Sequence, residues 1–312
     1  MMKAVRIHAY GDTGVLRFED APLPEIGPKD VLVRVVATSI NPVDWKIRQG
    51  HLQKMLAYPL PFTLGLDASG VVAAIGAEVT RFKLGDAVFS RPAIDRNGTY
   101  AEFVAIAEAE VAMKPATISH VEAATLPLVS ITAWEVLVTA AGLTAGQRVL
   151  IHGGSGGVGS IAVQLAKARG AYVIATTSAR NIGLVRSIGA DEVLDYHSTV
   201  LRDVVGDLDV VFDTIGGDTQ AASWALLKKG GILVSIVSPP SEELAQAHGV
   251  RKAFVFIDPN AAILAEVATL VDAGAIRPLI GAEFALSDIA KAHALSETGR
   301  AQGKIAIYVG QP

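Results

Sequence analysis

The chain contains no cysteine. That absence excludes disulfides, a thiolate nucleophile and every cysteine-ligated zinc or iron–sulfur site. Long apolar runs are missing too. No stretch approaches the roughly 18 consecutive apolar residues of a membrane span, so no membrane association is expected. No basic block or stripe stands out. The 27 Lys and Arg against 31 Asp and Glu leave a net charge of −4, which argues against nucleic acid as the main partner. The histidines, His8, His51, His120, His152, His197, His248 and His293, form no HxxxH or HExxH pair. Surface or hydrogen-bonded core positions are their default reading, and no metal site is expected. The opening MMKAVRIHAY has no long apolar segment of signal-peptide type and alternates like a strand. A cytoplasmic protein is expected.

What is present is material for a large core. Of 312 residues, 51% are hydrophobic and 19% charged, enough for two ordinary domains or one large one and unlike a disordered chain. The first third reads as β-rich: VLVRVV (31–36), GVVAAIG (70–76), GDAVFS (85–90) and YAEFVAI (100–106) are short strands separated by Gly, Pro and Asp, as in a small barrel. Residues 121–141 read as helices broken near Pro127. Beyond residue 147 the pattern is strand, glycine loop, helix, strand. It repeats weakly through EVLDY, LDVVFDTIGG and ILVSIVS, with WALLKKGG read as a helix and turn. Alternation of this kind predicts a parallel, doubly wound α/β sheet. In the tail, Pro259 is placed at a helix N1 position, Ser287 at the N-cap of a second helix, and KIAIYVG closes on a strand. The apolar segment ILVSIV (232–237) is a candidate sheet edge for a homodimer.

The strongest motif is GGSGGVG. Gly154, Gly156 and Gly159 complete GxGxxG, with Ser155, Gly157 and Val158 between them. The motif follows the apolar strand VLIH and opens the helix SIAVQLAKARG, the context that dinucleotide binding requires. Gly154 is assigned the tight turn, Gly156 the backbone approach to a pyrophosphate, and Gly159 the close packing of helix on strand. The helix N-terminus then offers N–H groups and a partial positive charge. The next strand ends ATTSAR. It carries Thr176, Thr177, Ser178 and Arg180 where an Asp or Glu would hold a free ribose 2′-hydroxyl. Hydroxyls and an arginine suit a 2′-phosphate, so NADPH is expected over NADH. Tyr196 either reaches that phosphate or is a half-buried aromatic at a strand end.

With these residues in place, the chain resembles the medium-chain dehydrogenase/reductase superfamily, and within it the zinc-independent quinone oxidoreductases and alkenal/enone reductases. The resemblance runs over essentially the whole chain. Its strongest parts are NPVDWKIRQG (41–50), GLDASGVVAAIGAEVTRFKLGDAV (65–88), GTYAEFV (98–104), LPLVSITAWEVL (126–137), AGQRVLIHGGSGGVGSIAVQLAKARGA (145–171) and GKIAIYV (303–309). It implies a GroES-like β-rich catalytic domain, formed by residues 1–118 and a returning segment 259–312, and a Rossmann NADPH-binding domain over 119–258. The active site is then expected in the cleft, in a homodimer acting on a small molecule. Zinc-dependent relatives carry a GHE motif where this chain has Gly65, Leu66 and Asp67, so no zinc is expected. Lys46 stands where typical quinone reductases have tyrosine, and in this NPVDWK is similar to the alkenal/enone reductases and the trans-acting enoyl reductases.

The implied chemistry is hydride transfer from the nicotinamide to a quinone or to the activated double bond of an enone, with the protein stabilising charge on the acceptor oxygen. Lys46 is the candidate donor or proton relay, against a solvated surface lysine. Asn41 orients substrate or cofactor amide, or caps a turn before Pro42. Asp44 pairs with Lys46 or Arg48, or caps the short helix. Thr132, Ile215, Phe254, Phe256, Gly303 and Lys304 complete the expected cofactor contacts; Thr132 is otherwise a helix-interior threonine, and the two phenylalanines are otherwise core. Asp67 is expected to have a structural hydrogen-bonding role. Two other activities stay open: a trans-acting enoyl reductase, and a non-catalytic NADPH-binding protein.

Overall fold

The structure is a computed structural model and describes residues 1–310. The first elements are β1 (Met2–Ile7), β2 (Leu16–Ala21), β3 (Asp30–Ile40), α1 (Pro42–Arg48), β4 (Phe62–Thr63), β5 (Ala68–Ile75), β6 (Ala87–Ser90), β7 (Phe103–Ala107) and β8 (Val111–Met113). Then come α2 (His120–Ala123), α3 (Pro127–Trp134), β9 (Arg148–Ile151), α4 (Gly157–Ala168), β10 (Tyr172–Thr177), α5 (Ile182–Ser187), β11 (Glu192–Asp195), β12 (Leu208–Asp213) and α6 (Gly217–Ser223). The last are β13 (Leu227–Ser235), α7 (Glu242–His248), β14 (Arg251–Phe254), α8 (Ala261–Asp272), β15 (Ile280–Ala285), α9 (Ile289–Glu297) and β16 (Lys304–Tyr308). The chain divides into two compact units. One comprises Met1–Leu128, Asp258–Gly274 and the segment from Pro278 onward; the other comprises Val129–Ile257 and Ala275–Arg277.

The first unit is built on β3. Its valines alternate as a two-residue period requires: Val31, Val33 and Val35 are buried while Arg34 faces out. They pack with Val72, Val88, Val104, Ile106, Val111 and Phe82. Burying each such side chain stabilises the fold by about 1.5–3 kcal/mol at most. The sheet runs β15-β16-β3-β5-β6-β8, with β7 also paired to β3. The closing strand β16 lies antiparallel to β3, setting Ile305 opposite Ile40.

The second unit is a parallel sheet in the order β11-β10-β9-β12-β13-β14. The chain moves outward from β9 to β10 and β11, then crosses to β12 on the other side of β9. The carboxyl ends of β9, β10 and β12 therefore meet at a topological switch point, where α/β sheets bind ligands. Trp224, Leu226, Leu150, Ile174, Leu208, Val211 and Leu233 form a core on this sheet.

Four local expectations need correction. WALLKKGG is not a helix and turn: a single 3₁₀ turn, Trp224–Leu226, follows α6 and leads straight into β13, where Leu227 already pairs with Leu208 of β12. The segment ILVSIV does not lie at the sheet edge; β13 pairs with both β12 and β14, and β14 is the edge. Pro259 precedes α8 rather than opening it, since Asn260 is the N-cap and its side chain accepts the Ile263 N–H at 3.0 Å. Ser287 lies within a 3₁₀ turn, Leu286–Asp288, and Asp288 takes the N-cap position of α9.

Candidate functional site

In the second unit the glycine loop follows β9 at the switch point. The left-handed turn is at Gly153 (φ +68°), not at Gly154. A Cβ at Gly153 would come within 2.8 Å of the Thr214 hydroxyl. Gly154 instead packs on β10, where a Cβ would lie 2.9 Å from Ala175 Cβ. A Cβ at Gly159 would run into the Gly153 carbonyl, so this glycine sets the close approach of α4 to the loop, as its spacing implied. Gly156 is the N-cap of α4 and makes no side-chain cap. The first-turn N–H groups of α4, at Gly157, Val158 and Gly159, thus retain the anion-attracting character of a helix start.

The loop is braced from β10. Thr177 is buried, and its hydroxyl donates to Ser155 Oγ at 2.8 Å; Asn181 Nδ2 donates to the same oxygen at 3.1 Å. Thr177 therefore shapes the loop from within. Ser178 is half-buried, and Arg180 and Tyr196 are exposed, with the Tyr196 ring 4.2 Å from that of His197. Beneath the loop, His152 is buried between the hydroxyls of Thr176 (3.2 Å) and Ser223 (2.9 Å), and burial depresses its pKa to about 4, so the ring is neutral. At the end of β12, burial would raise the Asp213 pKa. The N–H groups of Gly216 (2.8 Å) and Ile215 (3.0 Å), with Gln220 and Ser235, hold it below the ordinary value. This carboxylate fixes the turn that leaves Ile215 exposed. Thr132 is buried in α3, and Phe254 and Phe256 are exposed.

Of the expected catalytic residues in the first unit, Asn41 joins a buried polar centre around Asp67. Asp67 is fully buried. Its Oδ2 accepts from Ser39 Oγ (2.6 Å), Asn41 Nδ2 (2.7 Å) and Lys304 Nζ (3.1 Å), and its Oδ1 from the Leu128 N–H (2.7 Å). Lys304 Nζ also donates to the Ile40 carbonyl (2.9 Å) and to Asn41 Oδ1. The Asn41 carboxamide is thus engaged at both ends. Lys304 serves this network, and the neighbouring Gly303 (φ +59°) leaves no room for a Cβ beside the Leu279 carbonyl.

Asp44 caps α1 through the Asn41 N–H (2.7 Å) and also accepts from the Tyr100 hydroxyl (2.8 Å). It pairs with neither Lys46 nor Arg48. Burial pushes its pKa up to about 7, against the lowering effect of those two donors, and drives Tyr100 well above its ordinary value. Arg48, fully buried, donates to Gly11 O (3.2 Å), His293 Nδ1 (3.1 Å) and Glu297 Oε1 (2.7 Å). Burial, reinforced by Arg48, holds His293 down to about 3. Lys46 is half-buried on α1 with its ammonium 5.6 Å from the Trp45 ring centroid, and makes no side-chain hydrogen bond or ion pair among the described residues.

Zinc would find few ligands of its usual type here. Leu66 is buried where zinc-dependent dehydrogenases carry histidine, the chain has no cysteine, and the described residues contain no group of three His, Asp or Glu able to hold a metal. The switch-point loop does suit a dinucleotide, by its left-handed turn, its two tightly packed glycines and its uncapped helix start.

Two family profiles match the chain: an alcohol dehydrogenase GroES-like domain over residues 27–116 and a zinc-binding dehydrogenase over residues 188–307. The chain is 35% identical to the mitochondrial NAD(P)H oxidoreductase RTN4IP1 of Danio rerio, over 99% of this chain and 92% of that one. The chain belongs to the medium-chain dehydrogenase/reductase superfamily. It is also 38% identical to the chloroplastic NADPH-dependent alkenal/one oxidoreductase of Arabidopsis thaliana, over 98% of this chain and 79% of the relative. Among solved structures, the quinone oxidoreductase from Coxiella burnetii superposes with a TM-score of 0.91 at 34% identity, covering 99% of both chains. The GroES-like and Rossmann-type architecture of this superfamily is the one described above. No described helix is long and apolar enough to cross a membrane.

The glycine loop follows the strand and opens the helix that the motif requires, with its left-handed turn one residue earlier than expected, and the Asp67 network reaches further than the structural hydrogen-bonding role expected of that residue. Besides Asp67 itself, the sign of it in the sequence is a lysine opening the apolar strand KIAIY. Arg91, a charged residue between the strand end FS and a proline, is 3% exposed and is not among the expected site residues.

Proposed function

We propose that this chain is an NADPH-dependent oxidoreductase that reduces quinones or the activated double bond of enones and alkenals without zinc. The observation that carries the reading is the glycine loop at the switch point, followed by a strand end that has Ser178 and Arg180 and no acid. The alkenal/one and quinone oxidoreductases among its relatives support the substrate class. When bound, the nicotinamide cofactor supplies the hydride.

The chain's own residues supply the rest. The first-turn N–H groups at Gly157, Val158 and Gly159 hold the pyrophosphate, and Gly156 leaves that face without a side chain. Ser178 and Arg180 take the ribose 2′-phosphate, with Tyr196 beside them. Thr132, Ile215, Phe254 and Phe256 bound the remainder of the cofactor. Asn41, held by Asp67 and Lys304, and Asp44, held by Tyr100, form a rigid base for α1, on which Lys46 is the proton source for the acceptor. Lys304 belongs to that base, and Gly303 shapes the turn that leads into it. The catalytic part is residues 1–118 with 259–312, and the cofactor part 119–258.

A homodimer formed along the exposed edge strand β14 belongs to the same proposal, as does a cytoplasmic location, which rests on composition alone. NADPH consumption by purified protein against 9,10-phenanthrenequinone, simple enones and an enoyl thioester, before and after chelation, tests the reading. Turnover with the first two that survives chelation is expected. Activity lost on chelation, or confined to carrier-linked thioesters, contradicts it.

A further inference from the structure

Two arginines of the first unit are deeply buried, and the fold treats them differently. Arg48 is satisfied at Nε and both Nη atoms by Gly11, His293 and Glu297. Arg91 is 3% exposed, its Nε is buried without a partner, and its guanidinium makes no hydrogen bond or ion pair among the described residues. Buried charged donors are costly to leave unmet, so such a group in a well-packed protein calls for a function.

The position of Arg91 is fixed. β6 ends at Ser90, opposite Ala68 at the start of β5, so Arg91 leaves the strand beside Asp67. The Ser90 hydroxyl donates to the Glu110 carbonyl at 2.7 Å, and the Ala93 N–H donates to Glu110 Oε2 at 2.9 Å. Pro92, between them, restricts the backbone further. The guanidinium is therefore carried on a clamped turn.

The carboxylates that attract Arg91 are Asp67, Asp258, Glu110 and Asp44, and none is within 4 Å of it. Asp67 already accepts four hydrogen bonds, Asp44 Oδ2 two, and Glu110 Oε2 holds Ala93; Asp258 is exposed. Burial lowers the guanidinium pKa, yet an arginine starts so far above neutrality that it stays charged. It can therefore hold an oxyanion and cannot deliver a proton at neutral pH.

We propose that Arg91 is the fixed donor to the acceptor oxygen of the substrate, the carbonyl of an enone or quinone. This rests on the hydride-transfer reading above. In an enone, the hydride forms a C–H bond at the β-carbon, the C=C electron pair shifts to make the enolate, and negative charge collects on the oxygen facing Arg91. A proton then goes to the α-carbon, giving the saturated ketone and the oxidised nicotinamide. A quinone takes the hydride and one proton to become the hydroquinone. Arg91 stabilises the charge in either case; the proton comes from elsewhere.

The test uses Arg91→Met and Arg91→Lys with three readouts. For turnover, kcat with phenanthrenequinone or an enone falls by roughly a hundredfold in Arg91→Met, the scale for loss of one oxyanion donor, while KM for NADPH is unchanged. Added guanidinium restores part of the rate. For binding, phenanthrenequinone titrated into cofactor-free protein binds the wild type at least about tenfold more tightly than Arg91→Met. For stability, Tm of Arg91→Met is unchanged or higher, because an unmet buried charge is removed. Wild-type kcat and quinone affinity in Arg91→Met would overturn the proposal. So would a fall in Tm restored by Arg91→Lys, which would make Arg91 a structural ion-pair partner. A wild type inactive with every acceptor would instead refute the hydride-transfer reading, and the cofactor-free titration would then decide on Arg91 by itself.

Discussion

Lys304 Nζ lies 3.1 Å from Asp67 Oδ2, with 7% and 0% of the two side chains exposed. The pair joins the last strand to the segment just before β5, and its remaining donors and acceptors are met by Ser39, Ile40, Asn41 and Leu128. A buried pair this completely hydrogen-bonded is costly to break from one side, because the surviving charge is stranded. Lys304→Met is therefore expected to destabilise the protein by about 3–5 kcal/mol. The double variant Asp67→Asn/Lys304→Met should recover part of that loss. Urea unfolding of the four proteins in the cycle measures it. A loss within about 0.5 kcal/mol, the range of ordinary surface substitutions, would contradict the assignment.

Asp44 links stability to pH. Its folded pKa of about 7 lies above the ordinary value of 3.8. Between those values the folded protein binds a proton that the unfolded chain has released. The contribution of Asp44 is therefore fully present below the unfolded pKa and is lost as pH rises toward about 7. Asp44→Asn should remove this downward slope, so the difference in unfolding free energy between wild type and variant changes from about pH 4 to about pH 7 and is flat above. Parallel curves across that range would show that Asp44 is ionised throughout.

The catalytic prediction concerns Lys46. Its ammonium makes no hydrogen bond or ion pair among the described residues and rests near the Trp45 ring. In its proposed role as proton source it would act after the cofactor is bound. Lys46→Met should accordingly lower kcat by about a hundredfold or more with little change in KM for NADPH. Unchanged kcat would return Lys46 to the role of a solvated surface residue. Raised KM with normal kcat would make it a cofactor contact.

Much of the fold could be read from the sequence because its signals are local. The valine alternation of β3 and the glycine spacing after β9 each follow from near neighbours. The errors arose where distant contacts decide the outcome. Leu227 pairs with Leu208 of β12 where composition favoured a helix, and β14 covers the strand that apolar character had marked as an edge. The candidate site divides in the same way. The close packing at Gly159 follows from spacing, whereas the left-handed turn falls at Gly153 rather than Gly154, and Asn41, Asp67 and Lys304 meet only after folding, from segments up to 263 residues apart. Arg91 gives no sequence signal, because an arginine beside a proline looks like a solvated turn until its burial is known.

Cofactor preference is expected to reside at the end of β10. Charge-assisted hydrogen bonds contribute about 1.5–3 kcal/mol each before solvent screening. Wild-type kcat/KM should therefore favour NADPH over NADH by at least roughly tenfold. Arg180→Ala should erode the ratio by lowering NADPH efficiency with little effect on NADH, and added salt should act in the same direction. Equal efficiency with both cofactors in the wild type would refute the reading of Ser178 and Arg180.

The most direct test of the central claim follows the hydride itself. NADPH deuterated at C4 of the nicotinamide, in either stereochemical form, is incubated with the protein and a simple enone, and the product is analysed by mass spectrometry and NMR. The account predicts a saturated ketone carrying one deuterium at the β-carbon from one of the two cofactor forms, at a rate matching NADPH loss. NADPH loss without product deuterium from either form, or no reduction of any enone or quinone, would contradict it.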